Sequence, residues 1–276
     1  MESSTLDGIK SALKYDKNNR YHRWIRQILI IAASLTVFVL LWWNISLILH
    51  TAAIPTPWKV WDAFINLFTH GASSSYTMWD HIFASMGRFL AGFALALAVA
   101  IPAGLLLGYS GILRDFSSPT IEILRPIAPI AWAPVFLFAI GATWAPIAVV
   151  FVGILFPLMT NTMFGVRKID PNITDAAKTL GANKVQSFYK VIFPASMPYV
   201  MNGMRIGLGI GWMCIVAAEM YAPYGGGIGY FIATQAQNGF WPNVFVGIAI
   251  IAILGILTTG VADYIYKKLA KRTGIE

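Results

Sequence analysis

Five ionisable residues, Arg88, Glu122, Arg125, Arg205 and Glu219, stand inside long apolar runs of this 276-residue sequence. A charge in hydrocarbon is costly, so such a residue pairs, faces water or marks a functional position. Glu122 and Arg125 are three apart, about one helical turn, and can neutralise each other. Arg205 lies about 10 residues into its run, near mid-membrane at roughly 1.5 Å per residue. It either meets Glu122 across a helix bundle or attracts an anion. Arg88 either snorkels outward or pairs with Asp80. Glu219 ends its run just before a Gly-rich stretch, and either braces that stretch or lines an opening beside it. Catalysis would need a nucleophile beside a base, or clustered acid and base groups. The sequence shows no such cluster, and His22, His50, His70 and His81 lack metal-ligand spacing. The chemistry on offer is charge placement in an apolar medium.

The composition explains that medium. Hydrophobic residues make up 57% of the chain and charged residues 12%, against roughly 25% charged in a soluble domain. Mean hydropathy is +0.65. These values point to a polytopic membrane protein. The single cysteine, Cys214, excludes an intrachain disulfide framework and reads as a packing residue. The net charge of +8 is not spread as a nucleic-acid footprint. It falls before the first apolar run (Lys10 to Arg26), in a central polar segment (Arg167 to Lys190) and at the end (Lys267 to Arg272). That is the positive-inside pattern.

About 20 apolar residues cross the roughly 30 Å hydrocarbon layer as a helix. Six runs qualify, at about 27–49, 81–108, 118–140, 146–165, 198–220 and 242–264. An amphipathic helix is expected between the first two, with Trp58 and Trp61 as interface anchors. Gly87, Gly92 and Gly104 suit close helix packing in the second run. The third carries Pro119, Pro126, Pro129 and Pro134 and is expected to kink. The expected architecture is an all-α membrane protein with six transmembrane helices. It has a basic cytosolic segment at 1–26, a transmembrane domain at 27–264 and a basic cytosolic tail at 265–276. Both termini then lie on the cytosolic side, and the loops expected on the outer side carry only Lys59 as a basic residue.

The central polar segment has its own pattern. Ile173, Ala176, Ala177, Leu180, Val185, Phe188 and Val191 recur at three- and four-residue steps. Asp170 is placed to cap a helix whose first turn begins with Pro171. Gly181 stops that helix and Asn183 caps a second. Two short helices joined by a Gly-centred turn follow, at about 170–192. The small side chains at Ala176, Ala177 and Gly181 leave room for another surface; packing on the chain's own bundle is the alternative.

The spacing resembles the EAA loop of permease subunits of ABC importers. That loop has an acidic residue and two alanines, then Gly after three residues, then an aliphatic residue nine further on and an apolar-Pro pair. The matching residues are Asp175, Ala176, Ala177, Gly181, Val191, Phe193 and Pro194. Asp replaces the usual Glu, Val the usual Ile and Phe the usual Leu, each keeping charge sign or apolar character. Ile123 to Gly141, Gly203 to Met220 and Gly225 to Ile232 resemble helices of the nitrate/sulfonate/taurine/bicarbonate-type permeases. The likeness covers about 55–264.

The resemblance implies a type I ABC importer fold in the cytoplasmic (inner) membrane. It implies two permease chains, here as a homodimer, with two ABC ATPase subunits and an extracytoplasmic solute-binding protein. ATP and Mg would be held by the partner ATPase, with no cofactor or metal on this chain. The sequence contains no GxxxxGK[ST] phosphate loop, in keeping with a non-catalytic subunit. Asp175, Ala176, Ala177, Gly181 and Ala182 become the expected contacts to the ATPase. Trp132, Arg125, Arg205, Trp212 and Glu219 become pathway or gate candidates. The expected cargo is a small anionic or sulfonate-like solute: nitrate, bicarbonate, taurine or an alkanesulfonate. An ATPase-independent secondary transporter or channel is the competing reading, but leaves the EAA-like segment without a purpose. A membrane enzyme would need the acid–base cluster that the sequence lacks.

Overall fold

The computed structural model describes residues 20–69, 76–222 and 225–273, with side chains described over 26–69, 76–222 and 225–268. Lys10, Lys14, Lys17 and His70, and the side chains of Arg20, His22, Arg23, Lys271 and Arg272, lie outside the described set. The chain divides into two units, Met1–Trp61 and Asp62–Glu276. In the first, α1 (Arg20–Leu49) is largely apolar from Ile28 on, with Leu35, Phe38 and Ile48 all more than half exposed. A helix apolar all round suits lipid. The Ser46 hydroxyl donates to the Ile54 carbonyl at 2.8 Å and ties the turn after α1.

The expected amphipathic helix is α2, Pro57–Thr69. Trp58 and Trp61 are exposed on it, while Leu67 is buried. Phe68 meets Trp79 edge-on at 5.3 Å, at the start of α3 (Met78–Tyr109). Thr77 and Asp80 form a reciprocal capping box there. Asp80 is thereby engaged with Thr77, at 2.7 and 2.8 Å, and does not pair with Arg88.

The expected third crossing, 118–140, is not one helix. Instead α4 runs from Gly111 to Leu124, a 3₁₀ turn covers Pro129–Trp132, and α5 begins at Ala133. The reason is local. Pro126 and Pro129 have no N–H to continue the ladder, and Ala128 is extended ahead of Pro129. Gly141 then breaks α5 (Ala133–Arg167) with φ +83° and ψ 169°. Among the described residues five helices are long and apolar enough to cross a membrane, and one of them, Pro129–Arg167, is the stretch interrupted at Gly141.

The helices α3, α5 and α8 (Phe193–Tyr221) form the core. Phe89, Ile154, Leu158 and Ile215 are completely buried between them. In lipid the apolar effect gives little net drive, so close van der Waals approach holds such helices. Glycines permit that approach. A Cβ on Gly104 would stand 2.6 Å from Thr162 Cβ and 2.7 Å from the Met159 carbonyl of α5. Gly92 makes a similar contact with Val150, whereas Gly87 faces open space and has no such role. The remaining elements are α6 (Pro171–Thr179), α7 (Lys184–Ser187), α9 (Ile228–Gln237) and α10 (Trp241–Thr273).

Candidate functional site

The central polar segment forms the helices its cap residues dictate. Asp170 Oδ1 accepts from Asn172 N–H at 2.9 Å, and Pro171 opens α6. Gly181 ends the helix at φ +86°, where its N–H donates to the Lys178 carbonyl at 2.9 Å. Ala182 N–H then donates to the Ala177 carbonyl at 3.0 Å. This is the hydrogen-bond arrangement of a left-handed glycine stop. Asn183 and Gln186 make a second capping box at the start of α7.

The second short helix differs from expectation. It covers only Lys184–Ser187 before a π-helical turn at Phe188–Ile192, which runs directly into α8. Pro194 supplies no N–H, so the ladder near it must re-register. Widening to a π turn lets Phe193 N–H reach the Phe188 carbonyl. The polar segment is thus continuous with α8 on one side and joined to α5 through a short link on the other.

Its two faces are unlike. Inward, Ile192 packs with Leu105 and Val166, and the Phe188 ring meets Tyr109 edge-on at 5.8 Å. Outward, Ile173, Leu180, Val185 and Tyr189 are all more than half exposed, with Leu180 at 88%. Asp175, Ala176 and Gly181 are exposed, and Ala177 and Ala182 half-buried. The Asp175 carboxylate accepts from Lys178 Nζ at 2.8 Å and raises the lysine's pKa above the ordinary 10.5. The Gly181 turn therefore sits between exposed apolar residues on a stiffly anchored protrusion.

The apolar-run charges pair differently from expectation. Arg88 does not meet Asp80; its guanidinium lies 2.9 Å from Glu219, which is fully buried. Arg205 does not meet Glu122; it donates two hydrogen bonds to Asp263 Oδ1, at 2.6 and 3.0 Å. A pocket of about 200 Å³ beside this pair is lined also by Asn202 and Tyr266. Among the described residues no ion pair joins Glu122 to Arg125, both of which are exposed. Trp212 is buried, stacks on Phe89 at 4.5 Å and donates its indole N–H to Thr258 at 3.0 Å. Trp132 is half-buried and stacks on Phe136 at 6.0 Å. Asp263 and Ser85 were missed by the sequence reading. Asp263 left a signal as the one acid in the last apolar run; Ser85 left one in its i, i+4, i+7 spacing with His81 and Arg88.

Residues 100–274 match the family model described as "Binding-protein-dependent transport system inner membrane component". The chain belongs to that family. The match takes in the whole protrusion and the α5–α8 packing. Among similar proteins, the taurine transport system permease protein of Escherichia coli is 31% identical over 85% of this chain and 87% of its own length. The nitrate import permease protein of Synechocystis sp. is 32% identical over 78% of this chain and 80% of its own. The bicarbonate transport system permease protein of Synechocystis sp. is 30% identical, over 84% and 85% respectively. This chain is thus an all-α, multi-pass membrane permease subunit of an ABC importer.

Proposed function

We propose that this permease carries a small anionic or sulfonate-like solute across the cytoplasmic (inner) membrane, driven by ATP that partner chains hydrolyse. The relatives with named solutes handle taurine, nitrate and bicarbonate, which are all small and bear an anionic group. The observation that carries the mechanism is the exposed apolar surface around Gly181, on a segment that runs unbroken into α8. An exposed apolar tip on a polar protrusion is an interface feature. On this reading Ile173, Leu180 and Val185 dock on an ABC ATPase, with Asp175, Ala176, Ala177, Gly181 and Ala182 forming the close-approach turn. ATP and Mg bind that partner, not this chain. Closure of two ATPases pushes the protrusions, and α8 and α5 carry the push into the bundle. The Phe188–Tyr109 and Ile192–Leu105 contacts spread it to α3.

The pathway forms between two permease chains, here a homodimer, and receives solute from a soluble binding protein on the other face. Arg125 and Trp132 suit its lining, because they lie on the proline-broken stretch with accessible side chains. Arg205 and Asp263 present a polar, partly accessible pair that lipid would not tolerate, so that face meets water or protein. Trp212 and Glu219 support the wall from behind. Purifying the tagged permease from its native membrane tests the assignment. An ATPase with vanadate-sensitive hydrolysis is expected to co-purify. Recovery of a transport-competent permease with no ATPase would overturn it.

A further inference from the structure

The first N–H groups of α9 are satisfied by side chains from two other helices. Gly227, in the cap position at φ +115°, has no side chain to cap with. Instead His81 Nδ1 accepts from Gly227 N–H at 3.0 Å, and Ser85 Oγ from Ile228 N–H at 2.8 Å. Glu219 Oε2 accepts from Gly229 N–H at 3.0 Å and from the Ser85 hydroxyl at 2.7 Å. Its other oxygen, Oε1, accepts from Arg88 at 2.9 Å. Arg88 also donates to the carbonyls of Gly226, at 2.9 Å, and Gly225, at 2.5 Å. Only glycine fits here, since a Cβ on Gly227 would collide with the Glu219 carboxylate and one on Gly229 with the Val216 carbonyl.

The donors around Glu219 are those that bind a free anion. A guanidinium, a hydroxyl and a backbone N–H at the positive end of a 10-residue helix converge on one carboxylate. Here the anion is covalently attached to the neighbouring helix and completely buried. We propose that Glu219 is a tethered counter-anion: a positioning residue that permanently fills a basic pocket, locking the start of α9 to α3 and α8. A permease for anions gains from this, because an open pocket of that kind would retain its cargo. This last consequence rests on the anionic-solute reading, whereas the filled pocket does not.

The test is anion rescue of the purified permease complex. In Glu219→Ala the pocket loses its anion and the melting temperature falls. Added formate is expected to raise it saturably. Wild type, already filled, shows no saturable rise, and Glu219→Ala/Arg88→Met shows none because the guanidinium is gone. Glu219→Gln keeps the shape and removes the charge, so it remains usable if the alanine variant does not fold. Its melting temperature is expected to fall without any saturable anion response, because the carboxamide still fills the pocket. Identical anion responses in wild type and Glu219→Ala, or a Glu219→Gln as stable as wild type, would overturn the proposal. A rise in Glu219→Ala together with uptake of a cationic or neutral solute would preserve the filled pocket and refute only the anion-cargo reading.

Discussion

Leu180 offers the sharpest test of how the permease is driven. It is 88% exposed in the free chain, beside the Gly181 turn, so almost none of its surface is used in folding. Truncation to Ala removes three carbons. At about 0.8 kcal/mol per buried methylene, full burial against a partner makes that worth about 2 kcal/mol. At about 1.4 kcal/mol per tenfold, the ATPase affinity falls roughly 30-fold. The permease itself changes by no more than about 0.5 kcal/mol, as expected of a surface substitution. Leu180→Asp goes further, because it would bury an unpaired charge. The assay titrates purified ATPase onto tagged permease in detergent or nanodiscs and measures bound fraction, with membrane abundance and melting temperature as folding controls. Equal affinity for wild type and Leu180→Ala, with both folded, would refute docking through this tip. A loss of folding without a separate loss of binding would show that the tip serves the chain's own bundle.

Three further outcomes are expected. Gly181→Trp has open space for its side chain but a strained left-handed backbone, costing about 1–2 kcal/mol. It is expected to reach the membrane yet uncouple ATP hydrolysis from uptake, while Gly181→Asn, which tolerates that backbone, keeps coupling; normal uptake by the tryptophan variant counts against the coupling turn. Gly104→Leu forces a side chain into Thr162 and the Met159 carbonyl, an overpacking cost of about 1–3 kcal/mol or more. Membrane abundance should drop in a quantitative blot, with no drop for Gly87→Leu, which faces open space. Lys178 has its pKa raised by Asp175, so the pair's contribution is present below the ordinary lysine value of 10.5 and is lost as pH rises through the higher folded value. ATPase binding measured between about pH 7 and 9 should therefore show no step removed by Lys178→Met.

Much of the central polar segment was legible because its determinants are local. Asp170 and Asn183 cap, Pro171 opens a helix and Gly181 stops it, each through its own backbone and nearest neighbours. The π turn was not legible, since it settles the competing demands of Pro194 and of Ile192 packing against Leu105 and Val166. The third apolar run was legible in part. Its prolines announced a kink, but that Pro126 and Pro129 separate it into distinct helices was not visible in its composition.

The sequence by itself determined an all-α membrane chain, its apolar segments and the capped helix and glycine stop of the central polar segment, because hydropathy, periodicity and capping act over a few residues. The charge pairs were decided only by tertiary structure. Arg88 and Glu219 are 131 residues apart, and Arg205 and Asp263 are 58 apart. Each residue along a helix turns a side chain by about 100°, so a partner on another helix depends on rotation and register. Glycine contacts between α3, α5 and α8 fix that register. They bring Ser85, Arg88 and Glu219 to the start of α9, where the ionisable residues that first stood out become one satisfied network.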